Sequence, residues 1–319
     1  MTAGTSVTGP GQAGLSARLR SVLTQRRLTI LLFLLPPLAV YLLFVLFPMV
    51  QAVNYSLYDW NGIAPLDDYV GLANYERALA DERFLSAMWN NWLIVILSLT
   101  IQIPIALGLA MLLNQEVRGR WLFRLIFFAP YVVSEVIAAL LWRLILRGGG
   151  AGEAFLDGSG LGGLIEMRLG NPDTIMYVVF FVISWKYFGF HMILLLAGLQ
   201  GIPRELGEAA EIDGASRWQV ARRITIPLLG PTLRISVFLS IIGSLQLFDL
   251  VWVMTTGGPL HASETMAIFM YDWGFIRFQF GYGSAVAVIM FTIALVLALF
   301  YQRYVIRRDI EGAVTAQGG

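Results

Sequence analysis

The sequence predicts an all-α polytopic membrane protein with six transmembrane helices, and three observations carry that reading. Of its 319 residues, 57% are hydrophobic and only 13% charged, against about 25% charged in an ordinary soluble domain. Six apolar stretches reach the roughly 20 residues a helix needs to cross a bilayer core: about 28–52, 91–114, 122–146, 174–200, 233–255 and 284–306. The basic residues between them alternate in density. Fifteen arginines fall in the two termini, the second and fourth connections and the span ends that adjoin them, and five in the other three loops. Excess Lys and Arg mark the cytoplasmic side, so both termini are predicted to be cytoplasmic. The regularity of the alternation favours six spans over five or seven.

Taken in order, residues 1–27 form a cytoplasmic tail. Its first 17 residues are rich in Gly, Thr, Ser and Ala and are expected to be disordered. Arg18, Arg20, Arg26 and Arg27 then precede an apolar run too long for a signal-peptide core, with no small-x-small site after it. That run reads as a retained first helix. The loop 53–90 carries an amphipathic helix around Tyr75–Met88. Trp60, Trp89, Trp92, Trp142, Trp252 and Trp273 lie near the expected outer boundaries, where aromatic side chains anchor at the interface. The loop 147–173 opens with Gly148-Gly149-Gly150, a flexible start. The loop 256–283 contains Gly257-Gly258-Pro259, a turn signal. Residues 28–306 are the six-helix domain and 307–319 a cytoplasmic tail.

Composition also excludes chemistry. There is no Cys, which removes disulfides, thiolate metal sites and cysteine nucleophiles. Two histidines, His191 and His261, make no metal cluster. The single lysine, Lys186, follows Trp185, so no Gly-Lys-Ser/Thr phosphate loop exists. The chain is therefore not expected to be an enzyme or to hold a cofactor, and no nucleic-acid partner is implied. Any ATP that drives it must be bound elsewhere.

The connection 201–231 is more than a linker. Pro203 suits the first turn of a helix, and Glu205 and Glu208 suit its electropositive end. Gly214 suits the left-handed position that closes a helix. Ser216 followed by Gln219 is a capping-box pattern for a second helix, which Pro227 is expected to end. Two short helices at a Gly-centred bend result, with Ala209 and Ala210 leaving a low profile that another protein can approach. On physics alone, a helix pair lying on the membrane surface fits as well.

Glu208-Ala209-Ala210, Asp213-Gly214-Ala215 and Ile226-Pro227-Leu228 resemble the EAA motif of ABC importer permeases. Ile226 stands where that family usually has Leu before the proline. Leu199 to Pro203, Phe248-Asp249, Thr256 to Pro259, Thr265, Gly281 to Ala285, Trp60 and Gly71 to Tyr75 are similar to the carbohydrate branch, whose members serve glycerol-phosphate, maltose and related systems. The resemblance covers about residues 28–306. It implies a type I ABC importer permease fold in a bacterial-type cell membrane. It further implies a second permease subunit as heterodimer partner, two ATP-binding subunits that hold ATP and Mg, and an extracytoplasmic solute-binding protein. Glu208, Ala209, Ala210, Asp213, Gly214, Ala215 and Trp218 would couple to the ATPase, with Glu208 foremost.

Ionisable residues inside a span are costly and usually functional. Glu135, Lys186, Ser244 and Gln246 fall near mid-depth of spans three, four and five, with Tyr187, Phe188 and Phe190 as neighbouring aromatics. Two readings stand: Glu135 and Lys186 form a buried ion pair, or they line a hydrated cavity for a polyhydroxylated solute. The resemblance implies that this part of span four and the Gln246 region contribute to the solute site. Asp249 lies farther out, at the level of an external gate. His191 reads as a packed helix residue, and Arg143 as a side chain snorkelling from the end of span three. An ion-coupled secondary transporter using Glu135 and Asp249 is the alternative, opposed by the loop and by the lack of inverted repeats.

Overall fold

The structure, a computed structural model, describes residues 29–115, 118–147, 158 and 169–306. The two terminal tails and Gly148–Gly150 lie outside the described residues. The chain divides into two compact units, one ending at Asn54 and one beginning at Tyr55. The described part of the first is helix α1, Thr29–Tyr55, up to its last residue but one; the helix is apolar and long enough to cross a membrane.

The second unit opens with a loop closed by an isolated antiparallel bridge between Tyr58 and Tyr69. Helix α2, Ala73–Ala80, is the amphipathic helix of that loop, but it stops sooner than the sequence predicts. Asp81 takes extended backbone and accepts from the amides of Arg83 and Phe84, so a new helix starts at Glu82. This helix, α3, runs over Glu82–Asn114. At 1.5 Å per residue its 33 residues measure about 50 Å, well beyond a hydrocarbon core of about 30 Å. Residues 82–90, expected in the loop, are therefore the first turns of span two.

Span three is two helices, α4 over Arg120–Val132 and α5 over Glu135–Ile145, bent by 97° at a short break. Span four is one straight helix, α6, Ile175–Gln200. Two short helices follow, α7 over Arg204–Ile212 and α8 over Arg217–Leu228, and α8 meets α9, Gly230–Leu245, at 69°. The predicted span 233–255 is not continuous: after Leu245 the chain leaves helix and restarts as α10, Asp249–Thr255. Helices α11, Met266–Ile276, and α12, Phe280–Val305, complete the unit. Four helices alone and two bent pairs have the length and composition to cross, giving six crossings when each pair counts once.

Three wide turns share a cause. The π-turns Leu42–Leu46, Ser98–Gln102 and Ala221–Thr225 each end two residues before a proline: Pro48, Pro104 and Pro227. Proline lacks the amide for its i−4 carbonyl and its ring pushes that carbonyl aside; a widened turn absorbs the displacement. Pro227 thus does not end α8, which continues through it to Leu228.

The apolar core falls into clusters. One joins α5, the first half of α6, and α10 through Ala139, Val179, Val182, Leu250 and Met254, with Trp142 and Trp252 packed against it. Another joins α3 to the second half of α6 through Ala106, Ala110, Met192 and Leu195. A third ties α2 and the start of α3 to α11 and α12 through Phe84, Phe269 and Tyr282. Beside the third, Arg83 forms an ionic clasp. It gives bonds of 2.6 and 2.5 Å to the two carboxylate oxygens of Glu264 and one of 2.7 Å to Asp272. Arg77 lies over the rings of Trp273 and Tyr282.

Candidate functional site: a cavity between two broken helices

A broken helix inside a membrane leaves carbonyls without amide partners, tolerable only where protein or a wet cavity satisfies them. The structure meets this at both breaks with side chains from distant helices. In span three, Lys186 of α6 is 3% exposed. Its Nζ donates to Val133 O at 2.5 Å and reaches Tyr131 O at 3.4 Å. Ser134 caps the restart by accepting from the Ile137 amide. Gly189, one turn along α6 from Lys186, lets the helices meet. A Cβ there would collide with the backbone of Phe127 and Phe128.

In span five, Asn91 of α3 donates to Ser244 O at 2.7 Å and accepts from the Met266 amide at 2.9 Å. Thr265 donates to Leu247 O at 2.9 Å. The two restarted helices, α5 and α10, pack against each other, and Arg143 donates to Val253 O at 3.2 Å. Arg143, exposed at the end of span three, thus also bonds the last turn of α10.

Between the breaks lies a cavity of about 390 Å³. Its wall brings together Glu135, Tyr187, Phe190, Ser244, Gln246 and Asp249, all singled out from sequence. Glu135 and Asp249 are the first residues of α5 and α10, so both carboxylates arrive at the cavity because the helices restart there. The Tyr187 hydroxyl donates to Glu135. Tyr131 stacks on Phe190 at 4.8 Å between ring centroids.

Lys186 is the departure. Neither sequence reading describes it: its ammonium bonds main-chain carbonyls, not Glu135, and it is not part of the wall. Sequence reasoning passed over Ser98, Gln102 and Tyr131, read His191 as a packed residue and used Phe248 only for the family resemblance; all five are on the wall. Gln102 carried a usable signal, an amide in mid-span beside a proline. His191 Nδ1 shares a 2.8 Å bond with Ser236 Oγ.

The connection between α6 and α9 has the predicted local geometry. Gly214 adopts φ +89. The amides of Gly214 and Ala215 bond back to Glu211 O and Ala210 O, a paired C-terminal closure. Ser216 and Gln219 form the reciprocal capping box. Pro203 sits one place earlier than expected, as the N-cap of α7. Glu208, Ala209, Asp213 and Gly214 are exposed, while Ala210 and Ala215 are half-buried. Ile212 and Trp218 stand 87% and 67% exposed.

Residues 102–310 match the family described as the binding-protein-dependent transport system inner membrane component. The chain belongs to this family. The permease is 38% identical over 274 residues to a probable ABC transporter permease protein of Pyrococcus horikoshii, covering 85% of this chain and 94% of the relative. It is 33% identical to the diacetylchitobiose uptake system permease protein of Streptomyces coelicolor, over 91% of this chain and 85% of that one. In fold, the permease is similar to a chain of a bacterial ABC transporter involved in import of the acidic polysaccharide alginate. That likeness has a TM-score of 0.77 at 24% identity, over 91% of this chain and 99% of the other. It is thus a multi-pass inner-membrane permease of a binding-protein-dependent ABC importer, a subunit type that does not itself hydrolyse ATP. The ion-coupled alternative is set aside with that assignment.

Proposed function

We propose that the permease forms, with a second permease subunit, the alternating-access pathway for a sugar or related polyol. The cavity between the two broken helices carries this reading. Carboxylates, amides and hydroxyls that bond hydroxyl groups stand beside aromatic faces that cover sugar rings. Two ATP-binding subunits, which hold ATP and Mg, drive the cycle by gripping the α7–α8 connection. An extracytoplasmic binding protein delivers the solute. The diacetylchitobiose relative supports a saccharide cargo, and the fifteen-to-five arginine split supports cytoplasmic termini.

Glu208, Ala209, Ala210, Asp213, Gly214, Ala215 and Trp218 form the knob that the ATPase grips. Its closing on ATP favours one of two arrangements of the permease pair through contacts that differ between them. The substrate wall is Glu135, Tyr187, Phe190, Ser244, Gln246 and Asp249, with Lys186 as their support.

The test is a gentle purification of the complex from its native membrane through a tag on this chain. A P-loop ATPase and a second six-span permease are expected in the intact mass. The Glu208→Ala variant is expected to assemble fully and to lose ATP-driven uptake. Undiminished uptake by that variant removes Glu208 from coupling, and recovery of the chain alone, active on an ion gradient, removes the whole reading.

A further inference from the structure

The shared fold does not decide the charge of the cargo, since the alginate importer carries an acidic one. The side chains of the cavity do. Its wall holds two carboxylates, Glu135 and Asp249, and no Lys or Arg among the described residues. Lys186, the nearest cation on α6, is tied to the carbonyls of the span-three break and does not face the space. Gln102 also lines the cavity. Its Oε1 accepts from Ser98, and its amide NH2 adds a donor to the wall.

We infer that this cavity repels anions and passes a saccharide or polyol that carries no net negative charge. This rests on the proposed solute pathway and sharpens it. Two like charges facing a cavity walled by apolar protein act on an ion more strongly than they would in bulk water. A uronate, sulfonate or phosphate group entering there meets Glu135 and Asp249, and the one buried cation that acts on them, Lys186, acts on Glu135 from behind the wall. Hydroxyl groups meet acceptors in the two carboxylates and Gln246 and a donor in Gln102.

The cysteine-free sequence makes the charge of the cavity measurable without knowing the solute. Gly243 lines the cavity, and a Cβ built on it meets nothing within 4 Å, so Gly243→Cys places a thiol in open space. In the assembled complex, its reaction rate is measured with a trimethylammonium-ethyl and a sulfonatoethyl methanethiosulfonate. Each rate is normalised to a small free thiol. A cation preference of about tenfold is expected, the factor supplied by a modest local potential. That preference should fall severalfold with Glu135→Gln or Asp249→Asn and disappear with both. Equal rates, or faster reaction of the anion, overturn the inference and leave the pathway standing. A thiol unreactive toward both reagents overturns the pathway itself. Ser240→Cys, on the same wall, provides a second thiol if Gly243→Cys prevents assembly.

Discussion

The α7–α8 connection and the pair of mid-membrane breaks are both interruptions of helix, yet they are held in opposite ways. At the connection the bonds that set the bend are local: Gly214 and Ala215 close α7 onto Glu211 and Ala210, and Ser216 and Gln219 cap α8 within three residues of each other. At the breaks the bonds come from afar. Lys186 reaches Val133 across 53 residues and Asn91 reaches Ser244 across 153. A surface interruption can leave carbonyls to water, whereas a buried one must recruit donors from another helix. The difference separates a helical corner held by its own neighbours in sequence from a cavity that exists only once the bundle has formed.

The comparison breaks or sharpens first at Gly189. Replacing it with Val drives a side chain into the backbone of α4, and the cost should reach roughly 3 kcal/mol, the upper range of overpacking. Thermal unfolding of the purified complex should show the largest loss here. Lys186→Met leaves the Val133 and Tyr131 carbonyls short of a donor and should cost about 2 kcal/mol. Lys186→Arg should recover part of that, since it restores the donors. A Met variant as stable as the parent would show that the break does not depend on Lys186. The smallest effect belongs to Gly214→Ala. The added Cβ meets no neighbour within 4 Å, so the cost is backbone alone, about 1 kcal/mol. It should appear as faster hydrogen exchange in residues 204–228 with the global midpoint unchanged. A midpoint drop equal to that of Lys186→Met would erase the distinction between local and long-range support.

The same distinction governs what can be read from the residues. The bend at Gly214 and the cap at Ser216 were legible because the groups that satisfy them are adjacent in sequence. The four unbroken crossings were legible because length and apolarity are properties of single segments. The breaks in spans three and five were not, because their compensating donors sit on other helices and leave no local mark. Glu135 and Asp249 were noticed as charges in apolar runs, while the reason they meet, a helix restart at each, was invisible. Lys186 was noticed for its charge and read as either an ion-pair partner of Glu135 or a cavity residue; only the geometry turns it to the backbone. Pro227 misled in a different manner. A proline ordinarily stops a helix, but the π-turn just before it lets α8 continue.

The ionic clasp at Arg83 bears on how the chain is made. Its carboxylate partners lie 181 and 189 residues downstream, so both are translated long after Arg83. Until then Arg83 has neither Glu264 nor Asp272, and the start of span two cannot latch to the helix that precedes span six. Separating such a buried pair costs several kilocalories per mole, roughly 3–5 by analogy with other proteins. A chain stalled before residue 264 therefore remains unlatched at this end, open to the proteases that clear incomplete membrane proteins.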